Sequence, residues 1–85
     1  MFPYKVDVSN GQSGEIQEHA LTLGYAWEYD QLTIDDRFKP CHLRSHFLYF
    51  NKNGTIFYGD DLKYFREERE HRLLSAEEFL NLIKK

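Results

Sequence analysis

The amino-acid sequence predicts a small α+β protein, with an antiparallel or mixed sheet of four to five strands and two helices in the order β-α-β-β-β-(β)-α. Two observations carry this prediction. Residues 46–59, HFLYFNKNGTIFYG, read as two strands joined by a turn. Residues 75–83 begin with a helix-capping motif and continue as an apolar stripe at helical spacing. The 85 residues are 41% hydrophobic, which supports a single domain over residues 1–85 and argues against disorder.

A strand, a helix and a second strand are predicted in the first third of the chain. Residues 4–9 alternate between apolar and polar side chains, the pattern of a half-buried strand with Lys5 on its polar face. Ser13 is the predicted N-cap of the helix, and Gly24 follows where a helix-terminating glycine belongs. Residues 25–29 then alternate again as a strand. The apolar stripe of the helix recurs at i, i+4 and i+7: Ile16, Ala20 and Leu23.

Residues 30–45 show no steady period and are predicted to form a long loop. Structureless loops of this length are uncommon in compact domains and are often functional. The alternative is that the segment contains a short helical turn or an extra edge strand around residues 32–34.

The turn of the hairpin decides which rings face the core. If Asn53 and Gly54 form a two-residue turn, Phe50 pairs with Phe57. If residues 51–54 form a type I turn closed by a bulge, Phe50 pairs with Ile56 instead. Asn at the first position and Gly at the last favour this second register. The residues then assigned to the core are Leu48, Phe50, Ile56 and Tyr58.

The C-terminal third predicts a helical turn, an extended segment and a well-marked helix. Residues 60–65 are predicted to form the turn, and the charged run after it can continue as helix through the i, i+4 pairs Arg66–Glu70 and Glu68–Arg72. Residues 71–74 are predicted to be extended. The helix begins with the capping box Ser75–Glu78. Its buried stripe is Phe79, Leu82 and Ile83.

Charge and cysteine content exclude several classes of protein. The formal net charge is −3, which indicates neither a basic face that binds nucleic acid nor the strongly acidic surface of a DNA mimic. Cys41 is the only cysteine, so an intrachain disulfide is impossible and a reducing compartment suits the chain. The N-terminal residues lack the apolar region of a signal peptide, and no segment approaches the length of a membrane span. We therefore expect a cytoplasmic protein.

Neither a metal site nor an active site is expected from the polar residues. Cys41, His42 and His46 lie in CHLRSH, but His46 opens a strand, so four residues carry it about 13 Å from His42. Two ligands of one metal ion cannot be that far apart. The paired acids Asp35-Asp36 and Asp60-Asp61 are typical of solvated loops. No phosphate-binding loop or nucleophile motif is present. We expect no metal, no cofactor and no enzymatic activity.

The residues predicted to bind a partner are three rings and three basic residues. In the favoured register Phe47, Tyr49 and Phe57 lie on the second face of the hairpin, and the loop before it carries the basic residues Arg37, Lys39 and Arg44. Rings beside basic groups suit a protein interface or self-association as a homodimer. They also suit a nucleotide or single-stranded nucleic acid held by stacking. The third alternative is that a helix of the chain covers these rings.

Three segments, ALTLGYAW at 20–27, LYFNKNGTIFYG at 48–59 and LSAEEFL at 74–80, resemble those of small soluble proteins encoded by tailed bacteriophages. The resemblance implies a non-enzymatic accessory protein in the host cytoplasm that binds and inhibits a host protein or defence system. The alternative function is binding or sequestration of a nucleotide or single-stranded nucleic acid. Under the first hypothesis, replacing Tyr49 and Phe57 by Ala abolishes partner binding without unfolding the protein.

Overall fold

A computed structural model describes residues 3–28 and 36–83, which form a five-stranded mixed sheet and three α-helices. This arrangement confirms the predicted α+β class. The strands are β1 (Tyr4–Asp7), β2 (Ala26–Trp27), β3 (Phe47–Phe50), β4 (Thr55–Gly59) and β5 (Arg72–Leu74). The helices are α1 (Ser13–Thr22), α2 (Leu62–Glu67) and α3 (Ala76–Ile83), with a 3₁₀ turn at Asp36–Phe38. Residue 29 of the predicted second strand and the predicted turn or edge strand at 32–34 lie outside the described residues.

The strand order is β2-β4-β3-β1-β5. The central pairs, β1 with β3 and β3 with β4, are antiparallel, whereas each edge strand runs parallel to its neighbour. Both edge strands are short, with two residues in β2 and three in β5. Within residues 3–28 and 36–83, none of the helices combines the length and apolar content needed to span a bilayer.

Helices α1 and α3 cover one face of the sheet and enclose the larger core. Its rings include Phe50, which stacks on Phe79 with centroids 4.3 Å apart and meets Tyr25 edge-on at 5.3 Å. Leu23, predicted in the apolar stripe of α1, is instead exposed at the helix C-cap. The fully buried aliphatic residues of this core are Val6, Val8, Ile16, Ala20, Leu48 and Ile56.

Helix α2 covers the other face of the sheet, over the rings Phe47, Tyr49 and Phe57. Phe47 and Tyr49 are only 4% and 1% exposed and pack with Phe65 of α2, while Phe57 is half-buried beside them. The alternative that a helix of the chain covers these rings is therefore the one observed, and the prediction that Phe47 and Tyr49 contact a partner directly is wrong. Lys5 is also buried on this face, against prediction, because its ammonium group donates to backbone carbonyls at the end of α2.

The hairpin adopts the register favoured by its turn chemistry. Phe50 pairs with Ile56 and Tyr49 with Phe57. The Gly54 N–H donates to the Asn51 carbonyl at 3.0 Å, and Gly54 has a φ of 86°, as a closing bulge glycine requires. Leu48, Phe50 and Ile56 are buried as predicted, but Tyr58 is 45% exposed. β2 pairs with β4 only as far as Ile56, so Tyr58 lies beyond the end of that neighbour.

Helix termini follow the predicted caps in two of three cases. After α1, the Gly24 N–H donates to the Leu21 carbonyl and the Tyr25 N–H to that of Ala20, which is the Schellman pattern with Gly24 at a φ of 101°. Before α3, the Glu78 N–H donates to Ser75 Oγ at 3.1 Å, and the Ser75 N–H donates to Glu78 Oε1 at 3.0 Å. Ser13, however, is the buried first residue of α1, and Gln12 takes the N-cap position.

The charged run after α2 is not helical. α2 ends at Glu67, and Glu68 leaves it with extended backbone, so the predicted i, i+4 pairs do not form. The extended segment at 72–74 is confirmed as β5. The helical turn predicted at 60–65 is also confirmed, and α2 carries it to Glu67.

Candidate functional site

A buried glutamine fixes the loop that leads into β3. The side chain of Gln17, on α1, is fully buried. Its Oε1 accepts the Cys41 N–H at 2.8 Å, and its Nε2 donates to the Cys41 carbonyl at 2.7 Å and to Ser13 Oγ at 2.9 Å. The amide therefore pairs with both backbone groups of Cys41, as a neighbouring strand would. We call residues 36–45 the clamped loop.

Two further contacts set the shape of the clamped loop. Arg37 Nε donates to the Trp27 carbonyl at 2.9 Å and holds the start of the loop against β2. The Ser45 N–H donates to the His42 carbonyl at 3.1 Å and closes a turn. Within that turn His42 has a φ of 52°, in the left-handed region that costs a non-glycine residue about 1–2 kcal/mol. The loop is thus held in a conformation that it would not adopt alone.

The turn places His42 on the exposed ring of Tyr58. The two rings are stacked, with centroids 3.7 Å apart and planes 16° apart. The buried indole of Trp27 meets both edge-on, at 5.2 Å from His42 and 6.3 Å from Tyr58. A ring pair supported from beneath by a buried indole is a rigid, partly open aromatic platform.

Two apolar side chains of the clamped loop, which also carries His42, are open to solvent. Phe38 is 54% and Leu43 is 55% exposed. Lys39 and Arg44 are exposed as well. We call the set Phe38, His42, Leu43, Arg44 and Tyr58 the loop surface. It combines apolar, aromatic and basic side chains on a backbone that internal hydrogen bonds hold in place.

The six predicted binding residues do not form one site. Arg37, Lys39 and Arg44 belong to the clamped loop, which attaches to α1 and β2. The three predicted rings, Phe47, Tyr49 and Phe57, lie on the opposite face of the sheet under α2. At the clamped loop, the Arg37 guanidinium lies 5.9 Å from the centroid of the Phe38 ring, and the ring of His42 stacks on Tyr58.

Gln17, His42 and Tyr58 are the residues that sequence reasoning missed. The sequence contains one signal for Gln17. It is a polar residue next to Ile16, which belongs to the apolar stripe of the amphipathic helix. A buried polar side chain requires hydrogen-bond partners, and these come from a loop 24 residues away in the chain. Alternation predicts Tyr58 in the core because it gives the face of the sheet but not how far the neighbouring strand extends.

A second polar cluster lies between α2 and the hairpin turn. His71 Nε2 is 2.8 Å from Asn51 Oδ1, and His71 Nδ1 is 3.0 Å from Glu68 Oε2. The Asn51 amide group donates to Thr55 Oγ1 and Glu28 Oε1, which leaves its oxygen facing the imidazole. Nε2 is thus hydrogen-bonded to Asn51, whereas Nδ1 is close to the Glu68 carboxylate without the geometry of a hydrogen bond. The side chains of Glu68 and His71 are each 8% exposed, so this cluster ties α2 to the hairpin rather than opening to a substrate.

Burial and local interactions shift the pKa values of several groups, among them Tyr49, Glu68 and Cys41. Burial raises the pKa of Tyr49 to about 12, with smaller contributions from Tyr64, Glu68 and Asp61. Burial would raise the pKa of Glu68, but the His71 side chain and the backbone N–H groups of residues 70 and 71 outweigh it and lower this pKa. Burial, and then Asp36, raises the pKa of Cys41, which disfavours the nucleophilic thiolate.

The remaining polar candidates have local structural partners. Asp60 Oδ1 accepts the His46 N–H at 2.8 Å, and Asp61 caps α2 by accepting the Tyr64 N–H at 3.2 Å. Across residues 3–28 and 36–83, no three His, Cys, Asp or Glu side chains are grouped to hold a metal ion.

Comparisons of the chain with protein-family models, curated proteins and solved structures find no match.

Proposed function

We propose that this chain is a non-enzymatic binding protein that recognises another protein through the loop surface. The observation that carries the proposal is the double hydrogen bond between Gln17 and Cys41. A loop ordered before binding loses less conformational entropy when a partner docks, and so retains more of the interaction free energy. A buried amide that serves only to hold a loop in place is consistent with a loop used for recognition.

The composition of the loop surface supports a protein as the partner. Interface hot spots are enriched in Tyr and Arg and cluster around well-packed apolar groups. Tyr58 and Arg44 are of these types, and Leu43 and Phe38 supply exposed apolar area. The resemblance to small phage proteins gives the proposal its biological direction: the partner is a host protein, or a component of a host defence system, whose activity is blocked.

The test is affinity capture from a lysate of the host cells with three forms of the protein. We expect one protein to co-purify with the wild type and to fall at least tenfold with Leu43→Asp/Tyr58→Ala, a loss of about 1.4 kcal/mol or more. Leu62→Asp is the matched control, because Leu62 is also exposed but lies on α2, away from the loop surface. Equal capture by all three forms would show that the partner binds elsewhere.

A nucleotide or single-stranded nucleic acid is the second candidate, favoured by the stacked His42–Tyr58 pair on a loop that also carries the exposed basic residues Lys39 and Arg44. Stacking of a base on an aromatic ring contributes about 1–3 kcal/mol. A thermal-shift screen separates this function from the first, since a ligand at 100 times its Kd adds about 2.7 kcal/mol of stability. A shift seen with wild type and lost in Tyr58→Ala would replace the protein partner by a nucleotide.

Self-association is tested separately by light scattering on the purified protein. A monomer is expected under the first proposal. A dimer that Leu43→Asp dissociates would make a second copy of the chain the partner of the loop surface.

A further inference from the structure

Among residues 3–28 and 36–83, strand β5 forms the edge of the sheet opposite to β2, and one side of its backbone has no neighbouring strand. In the described sheet β5 is the terminal strand, paired with β1. The Arg72 N–H donates to the Pro3 carbonyl at 2.9 Å. Because backbone groups alternate in direction along a strand, those of Leu73 point away from β1. The Leu73 side chain is 60% exposed.

A groove of about 450 Å³ lies beside β5 on the α2 face. Lys5, Glu68 and His71 contribute to its lining, but the Lys5 ammonium donates to helix carbonyls, and Glu68 Oε2 lies 3.0 Å from His71 Nδ1. The remaining charged residues of the lining are Arg66 and Arg69, which are exposed and make no ion pair within the described residues. This groove therefore presents uncompensated positive charge next to an open strand.

A second groove, of about 340 Å³, lies beside β5 on the α3 face. Tyr4, Leu74 and Leu82 give it apolar walls, and Arg72 and Glu78 lie in the same lining. The Ser75 backbone and side-chain hydrogen bonds lower the pKa of Glu78, and the Arg72 charge adds a smaller contribution. This groove therefore carries charges of both signs. The two grooves thus differ in chemistry, with one basic and one largely apolar.

We propose that β5 is a docking edge for an extended acidic segment of a partner protein, which adds to the sheet as a sixth strand. Successive side chains of a strand point to opposite faces. A segment that alternates acidic and apolar residues would therefore place its carboxylates near Arg66 and Arg69 and its apolar side chains near Leu74 and Leu82. Backbone hydrogen bonds to an edge strand provide affinity in this mode, and the flanking pockets provide specificity.

Charge favours an acidic segment over a second copy of this chain. Two β5 strands paired antiparallel about a two-fold axis normal to the sheet would bring the same groove of both copies onto one face. Arg66 and Arg69 of each copy would then meet their counterparts, and like charges placed opposite each other are destabilising. The neighbouring acids Glu67 and Glu70 do not line the groove.

The test uses synthetic peptides and amide chemical shifts of the isotope-labelled protein. The probe is a short peptide of alternating Glu and Val. We expect it to shift the amide signals of Leu73 and its neighbours and to protect the Leu73 N–H from exchange. A Lys/Val peptide of the same length, and a Glu/Val peptide with prolines at its centre, test charge and the extended backbone. Neither should bind.

Variants of this chain complete the experiment. Arg66→Glu/Arg69→Glu should weaken the acidic peptide by about tenfold or more, because each modest attraction becomes a repulsion, and should let the Lys/Val peptide bind. Lys63→Glu is the matched control, since Lys63 is exposed on α2 but does not line the groove. Leu73→Pro, which removes the outward N–H, should abolish binding of the Glu/Val peptide.

Several results would overturn the proposal. One is the absence of any shift at β5 with the Glu/Val peptide. Another is equal weakening by Lys63→Glu and by the double reversal at Arg66 and Arg69. A dimer in light scattering that Leu73→Pro converts to monomer would assign the edge to a second copy. The loop surface lies at the other edge of the sheet, so none of these outcomes depends on the proposed function.

Discussion

At the scale of single residues, Tyr49 has a ring that packs well against its neighbours and a buried hydroxyl that lacks a hydrogen-bond partner. The ring stacks on Phe57, with centroids 4.4 Å apart, at the centre of the α2 face. Its hydroxyl is buried and has no hydrogen-bond partner within the described residues. A buried, unpaired hydroxyl costs about 1–3 kcal/mol, so this position carries a polar group that opposes folding.

Tyr49→Phe is expected to stabilise the protein by about 1 kcal/mol in urea unfolding at neutral pH, because it removes the unpaired hydroxyl and keeps the ring. Tyr58→Phe is the control, and its exposed hydroxyl should matter by less than about 0.5 kcal/mol. A Tyr49→Phe variant less stable than the control would mean that the hydroxyl has a favourable partner.

The same residue predicts a loss of stability in alkaline solution. The pKa of Tyr49 is raised from its ordinary value of 10.0 to about 12 in the folded state, chiefly by burial. The neutral phenol is therefore favoured by folding, so its contribution is complete below pH 10 and is lost as the pH rises towards 12. We expect Tyr49→Phe to flatten the decline in stability over this range. An unchanged decline in the variant would assign the effect to other residues.

Gln17→Leu tests the clamp itself. We expect it to destabilise the protein by about 2 kcal/mol, because both backbone groups of Cys41 lose their partner, with the m-value in urea unchanged. Glu18→Gln, at the next and exposed position of α1, should stay within about 0.5 kcal/mol of wild type. If the two variants were equally stable, solvent would be an adequate substitute for the amide.

At the scale of elements, α2 depends on tertiary contacts. Six residues form too short a helix to be stable alone in water. Asp61 caps its N-terminus, Lys5 binds carbonyls at its C-terminus and Phe65 stacks on Phe47 with centroids 4.1 Å apart. The Glu68–His71 pair then joins the segment after α2 to Asn51 in the hairpin turn.

These contacts predict that the free energy of unfolding decreases in acid. The folded-state pKa of Glu68 is lowered, so its carboxylate stabilises the fold above the ordinary pKa range of glutamate, and this stabilisation is lost as the pH falls through the lowered pKa. We expect Glu68→Gln to reduce stability at neutral pH and to flatten its decline from about pH 6 to pH 3. Unfolding curves measured over that range provide the check.

The control for this prediction is Glu67→Gln, an exposed neighbour in α2 that should keep the wild-type dependence on pH. His71 lies 3.0 Å from the Glu68 carboxylate, and the Lys5 ammonium donates to the Glu68 carbonyl. Neither residue is changed in the two variants. Identical acid slopes for Glu67→Gln and Glu68→Gln would show that the Glu68–His71 pair does not couple folding to pH.

At the scale of the whole molecule, one sheet has a core on each face, and strand β3 contributes to both. Phe50 and Leu48 face α1 and α3, while Phe47 and Tyr49 face α2. Each face of a small sheet is thus covered by the chain itself. Because the two cores share β3 and β4, disruption of either core should destabilise the whole protein.

The double variant Tyr49→Ala/Phe57→Ala is therefore expected to unfold rather than to lose a binding surface. Truncating a buried aromatic ring costs about 3–5 kcal/mol, and a native protein has only about 5–15 kcal/mol of stability. Far-UV circular dichroism and thermal melting should show loss of the cooperative transition. His42→Ala/Tyr58→Ala, at the exposed stack, should retain it. A folded Tyr49/Phe57 variant would restore those rings as candidates for a binding surface.

The sequence alone determined the features that depend on neighbouring residues. Asn51 and Gly54 set the hairpin turn and therefore the register of every ring in β3 and β4. Gly24 and the pair Ser75–Glu78 set helix ends. These are local conformational preferences of the backbone, which do not require knowledge of the rest of the fold.

Only the tertiary structure decided which faces are covered and which residues form the candidate site. Alternation assigns a side chain to a face but not the element above it, so Phe47, Tyr49 and Lys5 could not be placed under α2 from their spacing. Tyr58 is open because β2 is short, and Gln17 is buried because it binds Cys41 far along the chain. Burial is a property of packing between distant segments, and local pattern carries no information on where those segments end.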